Sequence, residues 1–196
     1  MVAPLSTEAA EAADTAEASN ERDAMSSRLE TRVEWAQPSD HETLLRFTID
    51  EAVEAEGRAS DVSLIDEAVE AALLDPEGKA LYLIARSRSD DQLTTSMSSA
   101  QTSWRASGHV STVKEWSDWN NTYYLWITSM YVAPHARGQG VMRALLEAVD
   151  DYARELGAPE VRIYVHRENE RGARAWRREG FTEAPYWMGH RVVRPR

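Results

Sequence analysis

Arg137-Gly138-Gln139-Gly140 is the stretch whose residue types and spacing suit a defined chemistry. It joins a strand-like run to an amphipathic helix. The first backbone N–H groups of a helix have no partner inside it, and two glycines let a ligand approach that backbone closely. Such a corner suits an anion, above all a phosphate. A P-loop would need Lys-Ser or Lys-Thr after its second glycine, but Val141-Met142 follow; a dinucleotide fingerprint would need a third glycine where Arg143 stands. Neither pattern fits. The five histidines show no His-Glu-x-x-His spacing, so no metal site is expected. With no cysteine, thiolate nucleophiles and disulfides are excluded.

The elements that position this corner follow from periodicity. Before it, strict alternation places Leu125, Ile127 and Tyr131 on one face of a strand and Trp126, Thr128, Met130 and Val132 on the other. After it, Val141, Leu145, Val149, Tyr152 and Leu156 recur at helical spacing until Gly157 and Pro159 supply the stop. Upstream, Glu30 to Trp35 reads as a first strand. Pro38-Ser39-Asp40 opens a helix carrying Leu44, Leu45, Phe47, Ile49 and Val53, which Gly57 ends. A second helix from Asp61 carries Leu64, Ile65, Ala68, Val69, Ala72 and Leu73 and closes at Asp75 to Gly78; Ala80 to Ala85 suits a buried strand. Arg105 to Lys114 is the next strand, with Gly108 marking a bulge or a close contact, and Glu115 to Asn121 turns it back. Beyond the central helix come a strand over Glu160 to His166, a short basic helix from Asn169 to Phe181 and a last strand from Tyr186 to Val193. The order β-α-α-β-β-β-α-β-α-β is that of an α/β (α+β) domain, a mixed central sheet with helices on both faces.

Composition bounds the rest. The 196 residues, 42% hydrophobic, suffice for one good-sized core. Residues 1–28 alternate alanine with acidic residues and have no stripe to bury, so they read as a disordered tail before a domain over 29–196; the polar stretch 87–103 reads as a mobile insertion. A net charge of −11 repels nucleic-acid backbones and favours cationic partners such as amines. No apolar run approaches the ~20 residues of a membrane span, and no signal-peptide pattern opens the chain. The expectation is a cytoplasmic protein without nucleic-acid or membrane partners.

The corner resembles the acyl-CoA loop of the GCN5-related N-acetyltransferase (GNAT) family, whose pattern is Gln or Arg, two residues, Gly, one residue, then Gly or Ala. Arg137, Gly140 and Met142 hold the three fixed places, the last departing from the pattern. A second family motif aligns with Asn169, Ala173, Trp176, Gly180 and Phe181. The resemblance covers about residues 29 to 193. It implies the GNAT fold, acetyl-CoA as acyl donor, an amine acceptor on a small molecule or a protein, and a homodimer.

It also implies roles. Two parallel strands would part at a bulge, and the pantetheine arm would lie between the backbone of Met130, Tyr131 and Val132 and the strand Val161 to His166. The pyrophosphate would rest on the amides running through Gly138, Gln139, Gly140, Val141, Met142 and Arg143, beside Arg137, and Asn169 would complete the site. Many family members carry a tyrosine where this chain has Trp176. An indole N–H donates a hydrogen bond but does not give up its proton usefully. Glu115 and Asp118 stand at the substrate end as candidate bases, with His109 and His166 as further titratable groups, and Tyr164, Tyr123 and Tyr124 are candidate acids. A catalytically impaired acyl-CoA-binding sensor or interaction protein of the same fold is the alternative.

Overall fold

The structure, a computed structural model, describes residues 29–57, 61–89 and 104–193. The expected tail 1–28 and most of the expected insertion, residues 90–103, lie outside the described residues. The chain forms two compact units, one through Tyr164 and one from Val165.

The first unit contains β1 (Leu29–Trp35), a 3₁₀ turn (Pro38–Asp40), α1 (His41–Glu56), α2 (Val62–Leu74), β2 (Leu81–Ser89), β3 (Arg105–Ser117), β4 (Thr122–Val132), a 3₁₀ turn (Pro134–Ala136), α3 (Val141–Leu156) and β5 (Val161–Ile163). The strands lie in the order β1-β2-β3-β4-β5. The first four are antiparallel neighbours, and β5 runs parallel to β4. Helix ends follow local chemistry. Asp61 accepts from Ser63 N–H at the start of α2, and Gly57 and Gly157 close α1 and α3 in the left-handed region. The nearly buried Asp40 accepts from Gln37 N–H and from Arg86, which also pairs with Glu34, so one guanidinium ties β1 and β2 to the turn before α1.

Helices cover both faces of the sheet. On one, Phe47 of α1 stacks on His109 at 5.9 Å and lies 5.3 Å from the Tyr131 ring. On the other, Val141, Leu145 and Val149 of α3 are buried, and Tyr152 meets Trp35 edge-on. Gly108 lets α3 and β4 close on β3: a Cβ there would lie 2.6 Å from the Tyr131 carbonyl oxygen and 3.4 Å from Leu145. The close contact anticipated at Gly108 is present, and the neighbouring register shift leaves Ser107 as the extra residue. Because the nearest obstacle is backbone, Gly108→Ala is expected to destabilise the unit by about 2 kcal/mol in urea titration.

Five readings of the sequence are corrected. Register decides the faces of β4: Leu125 and Ile127 pair with Lys114 and Thr112, whereas Tyr131 pairs with His109, so an extra residue at Thr128 turns Tyr131 to the α1 side while all three stay buried. β3 runs through Ser117, so Glu115 and Trp116 are strand residues opposite Tyr124 and Tyr123, and the turn begins only at Asp118. β2 likewise continues to Ser89, since Ser87 is buried and bonds Thr31 and Ser107. β5 ends at Ile163 because its pairing with β4 stops beside the extra residue. Leu64, placed in the α2 stripe, is exposed.

The second unit holds α4 (Glu170–Arg178), begun by Asn169, whose side chain accepts from Gly172 N–H at 2.8 Å. Trp176 packs edge-on against Phe181 at 5.1 Å. The expected last strand is not formed: Tyr186, Trp187, Met188, Val192 and Val193 are exposed, and no described residue of this unit is in a strand to pair with them.

Candidate functional site

β3 and β5 both pair with β4, but over different lengths. Ser111 pairs with Ser129 and Thr112 with Ile127, which leaves Thr128 unpaired as a one-residue bulge. On the other side β5 follows β4 only from Leu125 to Ile127. From Thr128 onward the two parallel strands part. Pairing up to the bulge and parting beyond it is the combination that opens a slot between neighbouring strands, with unpaired backbone along one wall.

The β4 wall carries the amides expected there, and their direction is fixed by neighbours. Leu125 N–H donates to Glu160 on the β5 side, and Ala133 N–H donates to Ser107 on the β3 side. Met130 N–H bonds neither strand partner: it donates to Glu51 Oε1 of α1 at 3.0 Å. Ser129 Oγ donates to the other oxygen of Glu51 and accepts from His109 Nε2 at 2.8 Å. His109 is fully buried, and burial pushes its pKa down from 6.5 to about 3, so the ring is neutral with its proton on Nε2. Its Nδ1 has no hydrogen-bond partner among the described residues. Tyr131 donates to Asp50 at 3.4 Å, and burial, then the Asp50 charge, raises its phenol pKa.

The glycine corner follows directly. Arg137 Nε donates to the Val132 carbonyl at 2.9 Å, while its Nη2 bridges both oxygens of Glu54 at 2.8 and 2.9 Å. The arginine side chain therefore holds the end of β4 against α1. Gln139 Nε2 donates to His135 O at 3.0 Å. Gly138 and Gly140 have φ of +76° and +85°, both are exposed, and a Cβ on either would meet nothing within 4 Å. These glycines are therefore required for conformation rather than for packing. The first intrahelical bond of α3 runs from Ala144 N–H to Gly140 O, so the amides of Val141, Met142 and Arg143 precede the ladder.

The fold that carries this corner is found among known proteins. A model of the acetyltransferase (GNAT) family matches residues 64–181. The chain belongs to the GNAT acetyltransferase family. Among curated proteins no sequence matches. Solved structures share the fold. A possible acetyltransferase from Clostridium difficile 630 is 24% identical, with a TM-score of 0.70 over 84% of this chain and 99% of that one. A ribosomal-protein-alanine N-acetyltransferase from Brucella melitensis biovar Abortus 2308 is 17% identical, with a TM-score of 0.60 over 85% and 100%. An aminoglycoside N-acetyltransferase solved in complex with CoA is 14% identical, with a TM-score of 0.62 over 84% and 95%.

Within this GNAT chain two of the candidate catalytic side chains flank one indole and a third stands apart. Glu115, on β3, accepts from Trp126 Nε1 and lies 3.8 Å from Arg162 Nη1. The exposed Tyr164 ring is 6.3 Å from Trp126, so Glu115 and Tyr164 are neighbours of one indole. Asp118 stands apart, exposed on the β3–β4 turn. Among the described residues no group of carboxylates and histidines is arranged to hold a metal. The carboxylate nearest the slot backbone is Glu51, which sequence reading missed. Its only signal is the acidic run Asp50, Glu51 and Glu54 on a helix otherwise read for its apolar stripe.

Proposed function

We propose that this chain is an N-acetyltransferase that passes the acetyl group of acetyl-CoA directly to a primary amine of a small molecule or protein. The observation that supports this reading is the parting of β4 from β5 at Thr128, beside a corner whose two exposed left-handed glycines precede the first amides of α3. Those amides, at the positive end of the helix, suit a pyrophosphate. The side chain of Met142 matters little, because a backbone amide donates from any residue but proline. Arg137 serves by fixing the end of β4 through Val132 O and Glu54. Asn169 caps α4 whatever else it bonds.

Acetyl-CoA supplies an acetyl group already activated as a thioester. The chain has to bind it, orient it and accept a proton from the amine. A net charge of −11 favours a cationic acceptor. Cytoplasmic location and a homodimer are further parts of the proposal; among the described residues no helix is long and apolar enough to cross a membrane.

Isothermal titration of the folded protein with acetyl-CoA, followed by detection of released CoA thiol across an amine panel, tests the reading. The panel includes an aminoglycoside and alanine peptides, because an aminoglycoside and a ribosomal-protein alanine are named for two of the similar structures. Binding with thiol release from at least one amine is the expected result; absence of binding would remove the proposal. Trp176 motivates the second reading, an acyl-CoA-binding protein without turnover. That reading expects binding, no thiol release from any amine, and thiol release gained by Trp176→Tyr.

A further inference from the structure

The Met130 amide is held by a carboxylate. Glu51 takes the Met130 N–H with one oxygen and the Ser129 hydroxyl with the other. The two grips differ in kind. Ser129 is anchored from behind by His109, whose ring sits in the core 5.9 Å from both the Phe47 and Tyr82 rings. Met130 N–H instead points away from β3, along the wall where β5 has left β4. A hydrogen bond to a carboxylate is stronger than a neutral one, so any carbonyl that binds this amide must first remove Glu51 from it.

We propose that Glu51 is a displaceable carboxylate of the transfer site: Met130 N–H passes from Glu51 to the carbonyl of the acyl donor, and Glu51, still held by Ser129, then accepts the proton of the attacking amine. The proposal rests on the acyltransferase reading above. The exchange leaves the carboxylate about one hydrogen-bond length from the carbonyl that replaced it. A base for the amine has to be within such reach. Asp50 and Glu54 stand on the same side of α1, with Glu54 paired to Arg137. From β2, the phenol of Tyr82 has its pKa raised by burial and by the Glu51 charge. The surroundings are acidic overall, as an approaching ammonium group requires.

The step balances without further reagents. One ammonium proton goes to the Glu51 carboxylate and frees the nitrogen lone pair. The C–N bond forms as the thioester C–S bond breaks. The thiolate leaves with the sulfur electron pair and takes the second nitrogen proton, giving amide and CoA thiol, and Glu51 returns its proton to solvent.

Titration with acetyl-CoA of the parent, Glu51→Ala and Glu51→Gln, each shown to be folded by circular dichroism, tests the displacement without turnover. Glu51→Ala removes the competitor and is expected to bind about tenfold more tightly than the parent. Glu51→Gln keeps a neutral acceptor and falls between them. With an amine found in the panel, Glu51→Gln is expected to lower kcat about 100-fold and to flatten its acidic limb. A parental kcat and pH profile in Glu51→Gln would overturn the proton-accepting role. If the parent binds acetyl-CoA and neither variant binds it more tightly, displacement falls and the acyltransferase reading stands. If none of the three binds, the acyl-donor reading falls and takes this one with it.

Discussion

Acetyl-CoA affinity drops about 100-fold when Gly138 and Gly140 are both replaced by alanine, and less than about tenfold when both become asparagine. Both glycines occupy the left-handed region, at φ +76° and +85°. An alanine loses about 1–2 kcal/mol there, whereas asparagine is among the residues that enter it most readily. Neither position has a neighbour within 4 Å of the added Cβ, so the two substitutions differ in backbone preference and not in crowding. Because the corner is exposed, an alanine pair can relax to ordinary dihedrals in the free protein. Binding must then restore the strained form. The penalty therefore appears in Kd, measured by titration, while the melting temperature moves little. Equal weakening by alanine and asparagine would mean that amide direction at this corner is not what holds the phosphates.

That corner was legible because everything defining it is local. Two glycines, a preceding alternation and a following helical stripe lie within one short stretch, and the structure places the strand-to-helix corner at the same residues. The second motif behaved similarly, since an Asn N-cap and a glycine after the helix act within a few residues. The slot was less legible. A bulge was implied by resemblance, without a position, and alternation alone runs straight through Thr128 and puts Tyr131 on the wrong face. A one-residue insertion in a ladder is set by the partner strand, here the pairing of Ser111 with Ser129 and Thr112 with Ile127. Glu51 was not legible at all. It meets Met130 from 79 positions away, and on its own helix it is one acidic residue among several. The missing last strand has the same origin: Tyr186 to Val193 is apolar enough for a strand, yet strand identity needs a partner edge, which composition does not supply.

Acid is expected to unfold the first unit through His109 before its carboxylates matter. The ring is fully buried among Phe47 of α1 and Tyr82 of β2, opposite Tyr131 on β4, and reaches the Glu51 carboxylate through Ser129. Burial lowers its pKa from 6.5 to about 3. Between those values the unfolded chain binds a proton that the folded one refuses. Stability is therefore complete above pH 6.5 and is lost as pH falls toward 3, at about 1.4 kcal/mol per pH unit. By about pH 4.5 the loss is about 3 kcal/mol, a large part of a net stability of about 5–15 kcal/mol. Asp75, whose pKa is lowered by its bonds to Lys79 and Gly78, adds its own loss only below its usual 3.8, so the windows separate. Urea midpoints taken from about pH 7.5 to 4.5 measure the slope. His109→Gln keeps an N–H donor for Ser129 but has nothing to titrate, so its midpoint is expected to start lower and stay flat across that range. A parental curve as flat as the variant's would mean that His109 accepts its proton in the folded state at an ordinary pH.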